Sequence, residues 1–101
     1  MSNYEVYSTD LFDKLFFTLD GAEQNWIKRM KEQLEEFISG KPLHFSWFRE
    51  KKFENKRLYF LVDEERKRIL FVSFASKKEQ QNIIDFILDN RDNFFEILRS
   101  F

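Results

Sequence analysis

Along the chain, apolar residues change their spacing from segment to segment, and each change marks a structural element. Over residues 3–8, Tyr4 and Val6 alternate with Glu5 and Tyr7, the period of two that a short strand shows. Leu11, Phe12, Leu15, Phe16 and Leu19 then recur at helical spacing. This predicts a helix over about 10–19, capped by Thr9 or Asp10 and stopped by Asp20-Gly21. From Ala22 the stripe Trp26, Ile27, Met30, Leu34, Phe37, Ile38 repeats in steps of three and four, with Lys28, Lys31, Glu32 and Glu35 turned to water. Ser39-Gly40 ends that second helix, so the two form a hairpin.

After the turn-like Gly40-Lys41-Pro42, three runs have strand character: about 47–53, 57–62 and 68–76. The links between them, 54–56 and 63–67, are short and polar, which predicts an antiparallel meander. In the remaining segment, Ile83, Ile84, Ile87 and Leu88, then Phe94, Phe95 and Leu98, return to helical spacing. Asp89-Asn90 is a break that allows one long helix or two short ones. The predicted fold is α+β: an N-terminal strand and helical hairpin packed on an antiparallel sheet of about four strands, with a C-terminal helix.

Composition narrows what this fold can do. A chain of 101 residues with 14 phenylalanines supports one domain, 1–101, around a well-filled core. No apolar run approaches the roughly 20 residues needed to cross a bilayer, and the first ten residues lack the basic and apolar regions of a signal peptide. A cytoplasmic protein with no membrane partner is expected. With no cysteine, disulfides, thiolate zinc sites and a cysteine nucleophile are excluded, and the single histidine, His44, leaves little for metal or triad chemistry. No metal or cofactor is expected.

The net charge of −1 conceals a segregation. Residues 1–40 carry four basic against eight acidic side chains, and residues 79–101 two against five. Residues 41–78 carry 11 against five, so a polyanion would be drawn to the middle of the chain. Alternation decides which of these cations share a face. If Glu54-Asn55-Lys56 is a three-residue loop, Phe53 lies opposite Arg57, and Trp47, Arg49, Lys51 and Phe53 join Arg57 and Tyr59 on one side of the sheet. A change of one residue in the loop would substitute Glu50, Lys52 and Glu54. For Arg57 the plainer alternative is an ion pair with Glu50 or Glu54.

Clustered Lys and Arg suit RNA cleavage without a metal, which needs activation of a 2′-hydroxyl, cations on the charged transition state and a proton for the leaving oxygen. Arginine offers a planar fork to phosphate oxygens, and lysine can act as a base where burial or neighbouring cations depress its pKa. The plainer alternatives are a solvated sheet face for Arg49, Lys51, Lys52 and Lys56, core packing for Tyr59 and Trp47, and a loop position for His44.

Gly40-Lys41-Pro42-Leu43 and the run from Lys56 to Gln81 resemble the RelE/ParE toxin superfamily of toxin–antitoxin ribonucleases, in its archaeal-type branch. The resemblance extends over nearly the whole chain. It implies a metal-independent mRNA endoribonuclease acting with the ribosome, and a cognate antitoxin as partner; a homodimer is also admitted. By the same resemblance, Arg49, Lys51 and Arg57 hold catalytic cation positions and Lys77 or Lys78 the one after the last strand, with Lys78 catalytic and Lys52, Tyr59 and Lys77 binding RNA. The sequence departs from the family where a terminal Tyr belongs: the position near Ile84 holds isoleucine, and no tyrosine follows Tyr59. Tyr59 or His44 would have to substitute. The alternative is a non-nucleolytic protein on the same scaffold that inhibits or binds another macromolecule.

Overall fold

The computed structural model describes residues 3–101. Strand β1 (Glu5–Ser8) leads into α1 (Asp10–Phe16), whose first turn is fixed by Thr9, its hydroxyl accepting from the Phe12 amide at 3.0 Å. Helix α2 (Gly21–Glu36) begins with a reciprocal cap between Asp20 and Glu23. Both helices stop earlier than the apolar spacing predicts. Residues 17–19 form a turn, and Phe37 swings to an extended conformation, so the expected limits of 19 and 38 contract to Phe16 and Glu36.

Five strands form one sheet in the order β1-β5-β4-β3-β2: the remaining four are β2 (Lys41–Leu43), β3 (Phe45–Phe53), β4 (Lys56–Asp63) and β5 (Arg68–Ser76). Two features depart from the expected sheet of about four antiparallel strands. Residues 41–43, read as a turn, pair with β3 as a short edge strand, and β1 lies parallel to β5, from Glu5 opposite Arg68 to Ser8 opposite Phe71. The meander β3-β4-β5 is as expected.

Strand β4 is buried on both sides, and its alternation feeds two cores. Leu58, Phe60 and Val62 meet Phe12, Trp26, Ile27 and Leu34 of α1 and α2. Tyr59 and Leu61 meet Ile84, Ile87, Phe94 and Leu98 on the other face. These last belong to α3 (Gln80–Asp89) and α4 (Arg91–Arg99), separated at Asn90 as the Asp89-Asn90 break suggests and preceded by a 3₁₀ turn, Lys77–Glu79. Arg68 fastens the far end, donating from Nη1 to the Leu98 carbonyl at 2.7 Å, and the Phe101 ring stacks on Tyr7 at 3.8 Å. None of the helices described is long and apolar enough to cross a membrane.

Gly40 is where α2's exit meets the sheet. Its φ of 104° lies in a region that favours glycine, and a Cβ there would stand 3.0 Å from both the Glu50 carbonyl oxygen and the Phe60 ring. Gly40→Ala therefore combines strain with a backbone clash, and a loss of about 2–3 kcal/mol is expected in denaturant unfolding.

Candidate nucleic-acid interface

The turn between β3 and β4 has two residues, not three. Phe53 pairs with Lys56, Lys52 with Arg57, Lys51 with Leu58 and Glu50 with Tyr59. Glu54 closes the turn at φ 55°, a left-handed conformation that a non-glycine residue seldom adopts and that nothing in the segment advertises. This one-residue difference turns Arg49, Lys51 and Phe53 away from Arg57 and Tyr59. The convergence expected of Arg49, Lys51 and Arg57 does not form. Glu50 and Lys52 take their places on the α3 side.

Each displaced cation has an occupation of its own. Lys51 reaches between α2 and the segment after it, donating from Nζ to Gln33 Oε1 at 2.7 Å and Ser39 Oγ at 2.9 Å, and burial pushes its pKa down. Arg49 donates from Nε to the Ser46 carbonyl at 2.9 Å, with Nη2 3.7 Å from Glu64. Lys56 pairs with Glu23 at 2.7 Å and lies over the Phe74 ring. His44 stands exposed at the β2–β3 junction, the opposite end of β3 from the turn. Lys51 and Lys56 thus tie α2 and its exit to the sheet, and Arg49 ties the β4–β5 loop to β3.

The cations that do come together lie at the turn end of the α3 face. Lys52 is opposite Arg57, and Arg57 is opposite Ala75 on β5, just before the strand runs into Lys77 and Lys78. Lys52, Lys77 and Lys78 are exposed, and among the described residues none has an ion-pair partner. Arg57 is mostly buried, with Nε 3.8 Å from Glu50 Oε2, one of the two ion-pair partners expected for it as the plainer alternative. Gln80, the first residue of α3, donates from Nε2 to the same carboxylate oxygen at 2.8 Å. Tyr59 is fully buried beside them, and its hydroxyl has no hydrogen-bond partner. Burial and the Glu50 carboxylate push its pKa up, and its ring packs in the core on the α3 side.

Chemically, this end of the sheet carries three exposed ammonium groups, on β3 and in the turn that follows β5, and a mostly buried guanidinium paired with a carboxylate that an amide also contacts. It can receive a phosphate chain, because ammonium and guanidinium groups are strong donors to anionic oxygen. Glu50 and Gln80 were not among the site residues expected from sequence. Alternation had placed Glu50 conditionally, whereas nothing local marks Gln80, which arrives from 30 residues away through the packing of α3. A separate groove of about 770 Å³ along β1, lined by Glu5, Glu35 and Glu36 among others, is acidic and lies apart from these cations.

No protein-family model matches the sequence, and no curated protein is similar to it. Solved structures are. The RelBE2 toxin–antitoxin complex of Mycobacterium tuberculosis superposes with a TM-score of 0.63 at 16% identity, over 74% of this chain and 99% of that one. A doubly arginine-substituted E. coli toxin RelE in the free state gives 0.67 at 14% identity, over 78% and 88%. The archaeal RelE–RelB complex of Pyrococcus horikoshii gives 0.61 at 16%, over 76% and 97%. The chain has the RelE fold. At such identities the correspondence is one of architecture, and within the RelE fold the residues of this chain must be judged by their own placement.

Proposed function

We propose that the chain is a RelE-like toxin of a toxin–antitoxin system, an mRNA endoribonuclease that works with the ribosome and is held in check by a cognate antitoxin. The observation that carries this reading is the gathering of Lys52, Arg57, Lys77 and Lys78 at one end of one sheet face, on a fold that it shares with toxins solved with their antitoxins. Phosphates of an extended RNA would lie against Lys52, Lys77 and Lys78, and Arg57 would face the phosphate being cleaved, where negative charge grows. Lys51 and Arg49, on the other side of the sheet, have no part in this scheme. The acidic residues 1–40 keep the net charge near zero, so attraction for RNA is local to the site.

The test is inducible expression with mapping of mRNA 5′ ends. The native chain is expected to arrest growth and produce cuts positioned by ribosomes. A Lys52→Ala, Lys77→Ala, Lys78→Ala triple variant is expected to lose both, with RNA affinity reduced about tenfold or more. The absence of any tyrosine after Tyr59 favours a second reading, a protein that binds its macromolecular target without cutting RNA. Growth arrest with intact mRNA would establish that reading instead, and no growth effect would remove both.

A further inference from the structure

A stack of aromatic rings stands where β3 begins, at the opposite end of the strand from the β3–β4 turn. Trp47 packs against the core on the α3 side, meets the Phe95 ring of α4 edge-on at 5.6 Å, and carries the Arg91 guanidinium over its own ring at 5.1 Å. Phe45 lies on Trp47 nearly parallel, with centroids 5.1 Å apart and planes 17° from each other. Its ring is nonetheless open to water, the residue being 43% exposed. A lone exposed phenylalanine needs no explanation, but one whose plane is held by a second ring presents a preformed flat surface.

The sheet margin joins this stack to the cations of the turn end. Lys41 of β2 is opposite Glu50, so it shares the α3 face with Glu50 and Lys52. It is exposed and, among the described residues, has no ion-pair partner. Leu43 and Trp47, partly buried against the same core, follow it toward Phe45. From Lys52 back to Phe45 is seven steps along β3, about 23 Å at roughly 3.3 Å each. The neighbouring carboxylates belong to a different hollow. Asp63, Glu64 and Glu65 line a cavity of about 260 Å³ with Trp47, Arg91 and Phe95, and its walls do not include Phe45. A polyanion is repelled from that cavity, which leaves the open ring of Phe45 as the receptive surface.

We infer that Phe45, backed by Trp47, is a base-stacking subsite for single-stranded RNA, several nucleotides from the phosphate at Arg57; this assignment rests on the RNA reading above. A nucleobase lies flat on the open face of Phe45, and Lys41 takes a phosphate between there and Lys52. Cations that follow the backbone and rings that take bases are the two parts that single-strand binding combines. Stacking carries no hydrogen-bond code, so this subsite governs how firmly a longer RNA is held and not which sequence is chosen.

The experiment is fluorescence anisotropy of labelled single-stranded RNAs, about 4 and about 12 nucleotides long, titrated with the full chain at several salt concentrations. Phe45 is exposed, so its variants should fold as the native chain does, and thermal melting checks this. Phe45→Ala is expected to weaken binding of the long RNA about tenfold. Phe45→Leu, apolar but without a ring, should lose nearly as much, and Phe45→Trp should match or exceed the native chain. The short RNA, which the turn-end cations can hold by themselves, should bind all three variants equally. The salt dependence should be unchanged in Phe45→Ala, which removes no cation, and shallower in Lys41→Ala. A Phe45→Ala affinity for the long RNA within about twofold of native would overturn the subsite alone, as would native binding by Phe45→Leu or an equal loss on the short RNA. Loss of antitoxin binding in Phe45→Ala with RNA binding intact would also overturn it and give the rings to a protein partner. A native chain that binds neither RNA would overturn the RNA reading and the subsite with it.

Discussion

Replacing Arg57 with alanine is expected to lower RNA cleavage on the order of 10³-fold, the size of effect seen when an arginine that stabilises a phosphoryl transition state is removed. The side chain sits between Lys52 on β3 and Ala75 on β5, at the centre of the cationic end, and its guanidinium is the one delocalised fork there. Arg57→Lys keeps the charge and loses the fork, so it should recover only a small part of the rate. Lys51→Ala gives the contrasting outcome. Its ammonium holds Gln33 and Ser39 on the opposite face, so the variant is expected to cleave at the native rate while losing about 1 kcal/mol of stability. Single-turnover kinetics alongside urea unfolding separates the two residues. Equal damage from both would mean that RNA does not use the α3 face.

The largest loss of stability is expected from Phe60→Ala, about 3–5 kcal/mol by urea unfolding, a large share of the roughly 5–15 kcal/mol that a domain of this size holds. Phe60 has no exposed surface, lies on the central strand, faces the Phe71 ring at a centroid distance of 6.1 Å and sits beneath Gly40. The cavity left there would be walled by β4, β5 and the exit of α2, elements held by their own pairing and unable to collapse inward. Loss of activity in this variant should follow the unfolded fraction, unlike the loss in Arg57→Ala.

How much of this was legible in the sequence depended on whether a feature is local. The helices announced themselves because Trp26, Ile27 and Leu34, and later Ile84, Ile87, Phe94 and Leu98, repeat at the spacing that one buried face demands. The cap at Thr9 and the break at Asn90 were legible only as alternatives, Thr9 or Asp10 for the one and one helix or two for the other. Pairing partners were not. Nothing in residues 5–8 says that they lie parallel to β5, and β2 is three residues containing a proline. The site turned on a still smaller matter. A two-residue turn normally signals itself with Asn-Gly or Asp-Gly, whereas here Glu54 takes the left-handed conformation without a glycine. Cationic content and location are therefore readable in the sequence, but the face is not: the two-residue turn puts Lys51 and Arg49 on the side opposite Arg57.

The short strand that closes the sheet beside β3 bears on aggregation. An edge strand presents unpaired backbone groups to which another chain can add, and the remedies found in natural sheets are brevity, a charge and a proline. Residues Lys41 to Leu43 combine all three: the strand has three residues, Lys41 is exposed, and Pro42 has no N–H to offer. A protein with 14 phenylalanines and two nearly continuous apolar strands at its centre thus ends, on that side, in a margin unfit for template growth.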